Sequence, residues 1–434
     1  MKLNHKKNSD IAIVGVGCLL PKANNYQEFQ DVLYSGEEII RPIDSDRWIK
    51  EIFSGGDKNE ECESYSDLAA QIDESVYLDI KRKFGLDNDF DTRLIAYVLE
   101  TYGQVLNDLD LENNKELNLP LILGCMNPDV QFLEEHVFKF YMEAKRDLED
   151  LLASDNNLNH EKVFQLHDEM LTLSNSDLSS INDESIFQTF VFKRLAEKFE
   201  HAFKGRGFLV DAACASSLSS LDIACQQLRT GQEDLVIAGG VESNLSAGTF
   251  VVFSRVGALA QSTDIKPMDA ASEGMIQGEG CTLFALERID DALKNQRKIY
   301  GVIKGVAGSS DGRSASLFQP TKEGQMLAYK RVWKQSEAKP FLIEAHATGT
   351  HVGDLTESSS IEEFFRGNET DIGAVKGLFG HTKGNAGALS VLKGISIFEK
   401  NLIPGNAKVQ NSRFQNSEFI VNERNATISS ELST

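Results

Sequence analysis

The sequence predicts an α/β protein in which parallel strands are covered by helices on both faces, and three observations carry that prediction. Residues Gly207 to Gly240, GFLVDAACASSLSSLDIACQQLRTGQEDLVIAGG, read as strand, turn, helix and strand in succession. A second half, from about residue 300 onward, repeats the alternation of short apolar runs with amphipathic segments, the pattern of βαβ units. The chain has 434 residues, 41% of them hydrophobic, enough for a large core in two domains or in one fold of two similar halves.

The elements follow in order. Ile11 to Gly17 is apolar and ends in glycine, the mark of a buried strand. Its GVG has no third glycine opening a helix, so it does not make a dinucleotide site, and no cofactor is expected. Tyr26 to Leu33 spaces its apolar residues as a short helix, and the polar stretch Glu51 to Tyr65 reads as a surface excursion. A longer helix is expected over Thr92 to Leu109 and a strand over Leu119 to Leu123. From Asp129 to Lys204 the composition turns to Glu, Asp, Lys, Asn and Ser, with helical stretches at Phe132 to Leu152 and Ser185 to Phe203. That composition implies a charged helical insertion lying on the main body. Beyond the central unit, strands are expected at Cys281 to Leu286, Tyr300 to Val306, Phe341 to Glu344 and Ala374 to Val375. Helices are expected at Asp290 to Asn295, Lys322 to Gln335, Asp354 to Phe365 and Gly384 to Lys400.

The net charge of −22 argues against a surface for nucleic acid or anionic lipid, since phosphate backbones are bound by clustered cations. The six cysteines show neither a CxxC pair nor a metal-ligand spacing with histidine, so no disulfide framework and no metal site is indicated, and a reducing cytoplasm fits. The N-terminus runs straight into a short strand and has neither a signal-peptide core nor a membrane span.

Chemistry concentrates in three turns. Cys214 stands where the strand Phe208 to Val210 gives way, through small residues, to a helix; amides at a helix N-terminus favour the nucleophilic thiolate. Taken alone, such a cysteine is as readily a core filler, as Cys225 on the same helix illustrates. His346 follows the strand Phe341 to Glu344, and His381 follows Val375 to Gly380. Both sit in strand-to-helix loops, which in layered α/β folds converge on one rim, and Lys376, Asp354 and Glu357 are close in sequence.

These residues resemble the signature segments of β-ketoacyl synthases, the condensing enzymes of fatty-acid and polyketide synthesis. DAACASSL around Cys214, EAHATGT with GDLTE around His346, and VKGLFGHTKGNAG around His381 are similar to the family's three motifs, in the family's order. IAIVGVGCLLPKANNYQEF, PIDSDRW, KPMDAASEGMIQGEG and IYGVIKGVAGSSDG add to the likeness, which is to the polyketide and polyunsaturated-fatty-acid synthase type. The resemblance implies a thiolase-like fold of two similar halves in five α/β/α/β/α layers, residues 10–290 and 291–434. It implies that Cys214 accepts an acyl group from a thioester. His346 and His381 would stabilise the enolate formed as a malonyl-type group on acyl carrier protein loses CO₂, with Lys376, Asp354 and Glu357 holding the histidines. It also implies a homodimer, or a heterodimer with a related subunit. Departures from the family pattern are alanine after His346, the long acidic insertion, and an end at Thr434 before a glycine-rich turn and the last strands. The last leaves the Cys214 N–H as the only evident oxyanion donor. The alternatives are a non-catalytic partner of a condensing complex and a thiolase-fold acyltransferase that moves acyl groups without condensation.

Overall fold

The computed structural model describes residues 10–427 apart from 46, 49–52, 56–62, 87–90, 112–117, 129, 132–185, 264, 314–318, 335–339, 368, 406–408 and 422–424. Most of the expected insertion, including the helix at Phe132 to Leu152, lies outside the described residues; of that region the helix Ile186–Lys198 is described. Strands run in the order β1 (Ile11–Leu19), β2 (Arg41–Pro42), β3 (Leu68–Ala70), β4 (Leu121–Cys125), β5 (Gly207–Val210), β6 (Leu235–Glu242), β7 (Gln277–Gly278), β8 (Gly280–Arg288) and β9 (Gly301–Ile303). They continue as β10 (Leu342–Glu344), β11 (Thr370–Gly373), β12 (Leu402–Ile403), β13 (Phe419–Ile420) and β14 (Ala426–Thr427).

The principal sheet has six strands in the order β5-β4-β6-β8-β1-β9. It departs from the all-parallel expectation. Only β5, β4 and β6 pair in parallel, whereas β8 is antiparallel to both β6 and β1, and β1 to β9. An apolar run buried on both faces looks the same whichever way it points, so direction had to come from the connections. The second sheet, β10-β11-β13, is parallel throughout, and β12 pairs with β14 beside it.

Alternate residues of the six-stranded sheet feed two apolar clusters. Val14, Leu121, Leu123, Ile237, Leu283 and their neighbours pack under the helix Arg93–Asp108. Ile13, Ile122, Val236, Ala238, Phe284 and Leu286 face the other way, onto the helices Ser216–Thr230 and Ala386–Lys400. The far side of the helix Ala386–Lys400 meets the second sheet through Ile397 and Leu342 and through the buried pair Lys393–Glu344 at 2.6 Å. The outer face of that sheet is closed by the helices Lys322–Trp333 and His351–Phe364, with Ile343, Ile361, Phe365 and Ile372 in the core. The result is five layers: helices, mixed sheet, central helix pair, parallel sheet, helices.

The central helix pair comes unusually close to the sheet. A Cβ on Gly124 of β4 would lie 2.4 Å from the Ser217 nitrogen, and one on Gly240 of β6 would lie 2.6 Å from the Gly384 carbonyl and 2.7 Å from Ser217 Cβ. Only glycine fits at such an approach. Ser217 then accepts the Ala388 N–H at 3.0 Å, tying one central helix to the start of the other.

Gly240→Ala should therefore destabilise the fold by roughly 1–3 kcal/mol, as overpacking does in a close-packed core. Denaturant unfolding measures it; an unchanged midpoint would show that residues 384–385 move aside freely.

Candidate active site

The chain leaves β5 through a tight elbow. Asp211 takes the Ala213 N–H on one carboxylate oxygen and the Asn127 N–H on the other, each at 2.9 Å. Ala213 is thereby held left-handed, at φ +51°, a conformation non-glycine residues adopt only when their surroundings over-determine it. The Ser216 hydroxyl closes the turn by accepting the Ala212 N–H at 2.9 Å. Cys214 sits at the apex, two residues before the helix Ser216–Thr230 begins, and its thiol is half-buried.

The histidine loops are built the same way. After β10, Ala347 is left-handed at φ +40°, and Glu357 from the next helix accepts the amide N–H of His346 at 2.6 Å and of Ala347 at 2.8 Å. Asp354, wholly buried, accepts the Met268 and Gly349 amides at 2.7 and 3.1 Å. The two carboxylates thus grip the main chain around His346. The strand expected at Ala374 to Val375 lies earlier, as β11 over Thr370–Gly373; Lys376–Phe379 then forms a single helical turn, and His381 follows it. The His381 backbone is pinned beside β7 by its N–H to the Ile276 carbonyl, 2.7 Å. Its Nδ1 accepts the Lys383 N–H at 3.1 Å, so the ring proton belongs on Nε2.

These loops bring the three turns together. The sulfur of Cys214 and one nitrogen each of His346 and His381 lie within 4.8 Å of one another, and the two imidazoles stand edge to face with centroids 5.2 Å apart. Cys214, His346, Lys376 and Glu357 line a cavity of about 1140 Å³ with Leu218 and Val391 among its apolar wall residues. His381 is 3% exposed.

Burial governs protonation here. Loss of hydration, with the neighbouring His346, Lys376 and Lys383 adding to it, holds His381 well below its ordinary value. His346 is exposed to the cavity, yet crowding by protein and then the Lys376 ammonium lower its pKa to about 3. Cavity water opposes that loss of hydration, and the sign alone settles the protonation: both imidazoles are neutral at pH 7. Burial also pushes the Cys214 thiol up, against the pull of Lys376 and Lys383, so the thiolate expected from the helix terminus is opposed by desolvation. Lys376 is lowered by its own burial against the attraction of Glu357 and Glu344.

The spacing of thiol and imidazoles would let them surround a metal ion, but the tautomer fits one poorly. Ligation through His381 Nε2 would move the ring proton to Nδ1, where it would meet the Lys383 N–H. As donors, two neutral imidazoles beside a thiol suit stabilisation of a developing oxyanion.

Two charged pairs next to the site escaped sequence reasoning. Lys383 reaches Glu242 at 3.4 Å with both side chains buried, and Glu344, which also accepts the Val375 N–H at 2.6 Å, pairs with Lys393. The available signal was a charge at the end of an apolar strand, Glu242 on β6 and Glu344 on β10.

Among the described residues no helix is long and apolar enough to cross a membrane. The family model "Beta-ketoacyl synthase, N-terminal domain" matches residues 8–292, and "Beta-ketoacyl synthase, C-terminal domain" matches residues 300–410. A mycocerosic acid synthase-like polyketide synthase of Mycolicibacterium smegmatis is 28% identical over 405 residues, covering 91% of this chain and 17% of that protein. A polyunsaturated fatty acid synthase component of a Thraustochytrium species is 26% identical, over 94% of this chain and 15% of its own length. The chain thus spans less than a fifth of these relatives. The ketosynthase from module 6 of the Bacillus subtilis bacillaene synthase superposes with a TM-score of 0.75 at 20% identity, over 97% of this chain and 67% of that one, and shares its fold.

Two pH dependences follow from the burial. Because the Cys214 thiol lies above its ordinary 9.0, its alkylation by iodoacetamide should keep accelerating beyond pH 9, and a plateau by pH 8 would contradict this. For His381 the folded pKa lies below the unfolded one, so between them the unfolded chain binds the extra proton. Its contribution to stability is whole above the unfolded value near 6.5 and is lost as pH falls below it. His381→Gln should flatten that decline, by up to about 1.4 kcal/mol per pH unit, in unfolding titrations between pH 7 and 5.

Proposed function

Since the chain belongs to the β-ketoacyl synthase family, we propose that it catalyses decarboxylative Claisen condensation between an acyl group carried on Cys214 and a malonyl-type thioester on acyl carrier protein. The observation that carries the reading is the convergence of the Cys214 sulfur with two neutral imidazoles within 4.8 Å.

On this reading the Cys214 sulfur attacks the acyl thioester carbonyl and expels the carrier thiol, leaving an acyl-cysteine. The malonyl-type group then loses CO₂, and the electron pair of the broken bond becomes an enolate whose oxygen accepts from His381 Nε2–H and from His346. Its carbon attacks the acyl-cysteine carbonyl, and the sulfur leaves as thiolate to be reprotonated. Covalent capture divides one hard step into two easier ones. Donors fixed before the charge develops need no reorganisation when it does. Glu357 and Asp354 position the His346 loop through its amides, and Lys376 sets the potential between the two. The apolar stretch of cavity wall at Leu218 and Val391 suits an acyl chain. No cofactor enters these steps.

The proposal extends to organisation. Residues 10–290 and 291–434 are two halves of one thiolase-like unit that supply the thiol and the imidazoles respectively, in a cytoplasmic enzyme of fatty-acid or polyketide synthesis that works as a dimer. The non-catalytic alternative has no support in a site that keeps its nucleophile.

The reading is tested by separating the two half-reactions. Intact-mass spectrometry with an acyl thioester should show an adduct that Cys214→Ala abolishes and Cys225→Ala keeps. His346→Ala and His381→Ala should keep the adduct while slowing CO₂ release from malonyl-carrier protein by roughly 10²–10⁴-fold. An adduct surviving Cys214→Ala, or decarboxylation indifferent to both histidines, would overturn it.

A further inference from the structure

The strap from His381 to Gly384 is fastened by a pair of charges to which the condensation chemistry gives no part. Glu242, at the end of β6, is completely buried, and Lys383 is 3% exposed. The Lys383 ammonium lies 3.4 Å from Glu242 Oε1 and donates to the Asn244 carbonyl at 2.7 Å. The same carboxylate accepts the Asn244 N–H at 2.9 Å and, through Oε2, the Gly384 N–H at 3.4 Å. One acid thus grips the strap twice, by the side chain of residue 383 and by the amide of residue 384.

Lys383 has a second peculiarity. Its backbone is left-handed, at φ +37°, although it carries a long side chain, and such a residue relaxes unless its neighbours forbid it. Its amide is the donor to His381 Nδ1. Were the strap to relax, that N–H would swing away and the imidazole would lose the bond that assigns its proton. Either nitrogen could then carry it, and Nε2 would face Cys214 for part of the time as a bare lone pair. A bare lone pair cannot donate to an enolate oxygen. It can ligate a soft metal ion together with the Cys214 sulfur, which the present tautomer opposes.

We propose that Glu242 and Lys383 are positioning residues: their buried ion pair holds the strap so that the Lys383 amide keeps the His381 proton on Nε2, directed to the reacting atoms and closed to metal. The proposal rests on the condensing role of His381 for its catalytic consequence, but the tautomer itself is observable without any reaction.

The test compares the wild-type chain with Glu242→Gln and with Glu242→Gln/Lys383→Met. The double variant leaves no buried charge unpaired and so keeps the experiment decisive if the single variant folds poorly. In ¹⁵N-histidine-labelled protein, long-range nitrogen–proton correlation, assigned by loss of one of the eight histidine spin systems in His381→Gln, should show a pure Nε2–H ring for the wild type. A mixture of tautomers is expected in both clamp variants. CO₂ release from malonyl-carrier protein should fall on the order of 10–100-fold, as for other second-layer partners, with acylation of Cys214 little changed. Micromolar Zn²⁺ should protect Cys214 from iodoacetamide more strongly in the clamp variants than in wild type. A folded double variant whose His381 remains purely Nε2–H, with Zn²⁺ protection equal to wild type, would overturn the proposal. A wild type that releases no CO₂, while the clamp variants still scramble the tautomer, would sink the condensing reading and leave the clamp standing.

Discussion

The structure depends on how near one helix can come to one sheet. Near the C-terminal ends of β4 and β6, the first turn of the helix Ser216–Thr230 settles almost onto bare backbone at Gly124 and Gly240. The same missing Cβ of Gly240 lets Gly384, from the other half of the chain, reach the sheet beside it. Three main chains therefore meet where a single methyl group would hold them apart. With the thiol on one and His381 three residues before Gly384 on another, the distance between thiol and imidazole is set by backbone contact. Backbone contact yields far less than the rotation of a side chain does.

Around that meeting point the chain tolerates conformations it would elsewhere abandon. Ala213, Ala347 and Lys383 are left-handed without being glycine, and each lies one or two residues from Cys214, His346 or His381. Each such residue costs on the order of 1–3 kcal/mol, offset by carboxylates that collect the amides these turns leave over: Asp211, Glu357 and Glu242 respectively. Glu357 and Glu242, both buried, and Asp211 at the surface spend their charge on peptide N–H groups, which leaves the imidazoles uncharged. On the condensing reading, such a neutral ring would meet an enolate by donating, with no proton to be shed or gained beforehand.

Much of this was legible in the chain. The elbow at Cys214 was written in the small residues Ala212 and Ala213, and the loops of His346 and His381 in their place after apolar strands. The convergence of these three turns could be inferred because βα loops of a layered fold share a rim. Two things could not be read. The direction of β8 and β1 leaves no trace in residues buried on both sides. The partnership of Glu242 with Lys383 spans 141 positions, and neither residue has a local reason to be charged. Nor did residue type reveal that Glu357 and Asp354 hold the His346 loop by its amides.

The five-layer plan has a consequence for a chain caught part-way to its fold. The sulfur belongs to the mixed sheet and its helix, whereas both imidazoles hang from loops after the three-stranded sheet, and only the docking of the helix Ala386–Lys400 between the sheets brings them face to face. On the condensing reading, a molecule with one half assembled would hold the thiol yet lack the imidazoles with which to draw CO₂ from a second substrate. Incomplete molecules would then be idle rather than wasteful. On that reading the architecture would act as its own proofreader, withholding the irreversible step until the last layer is in place.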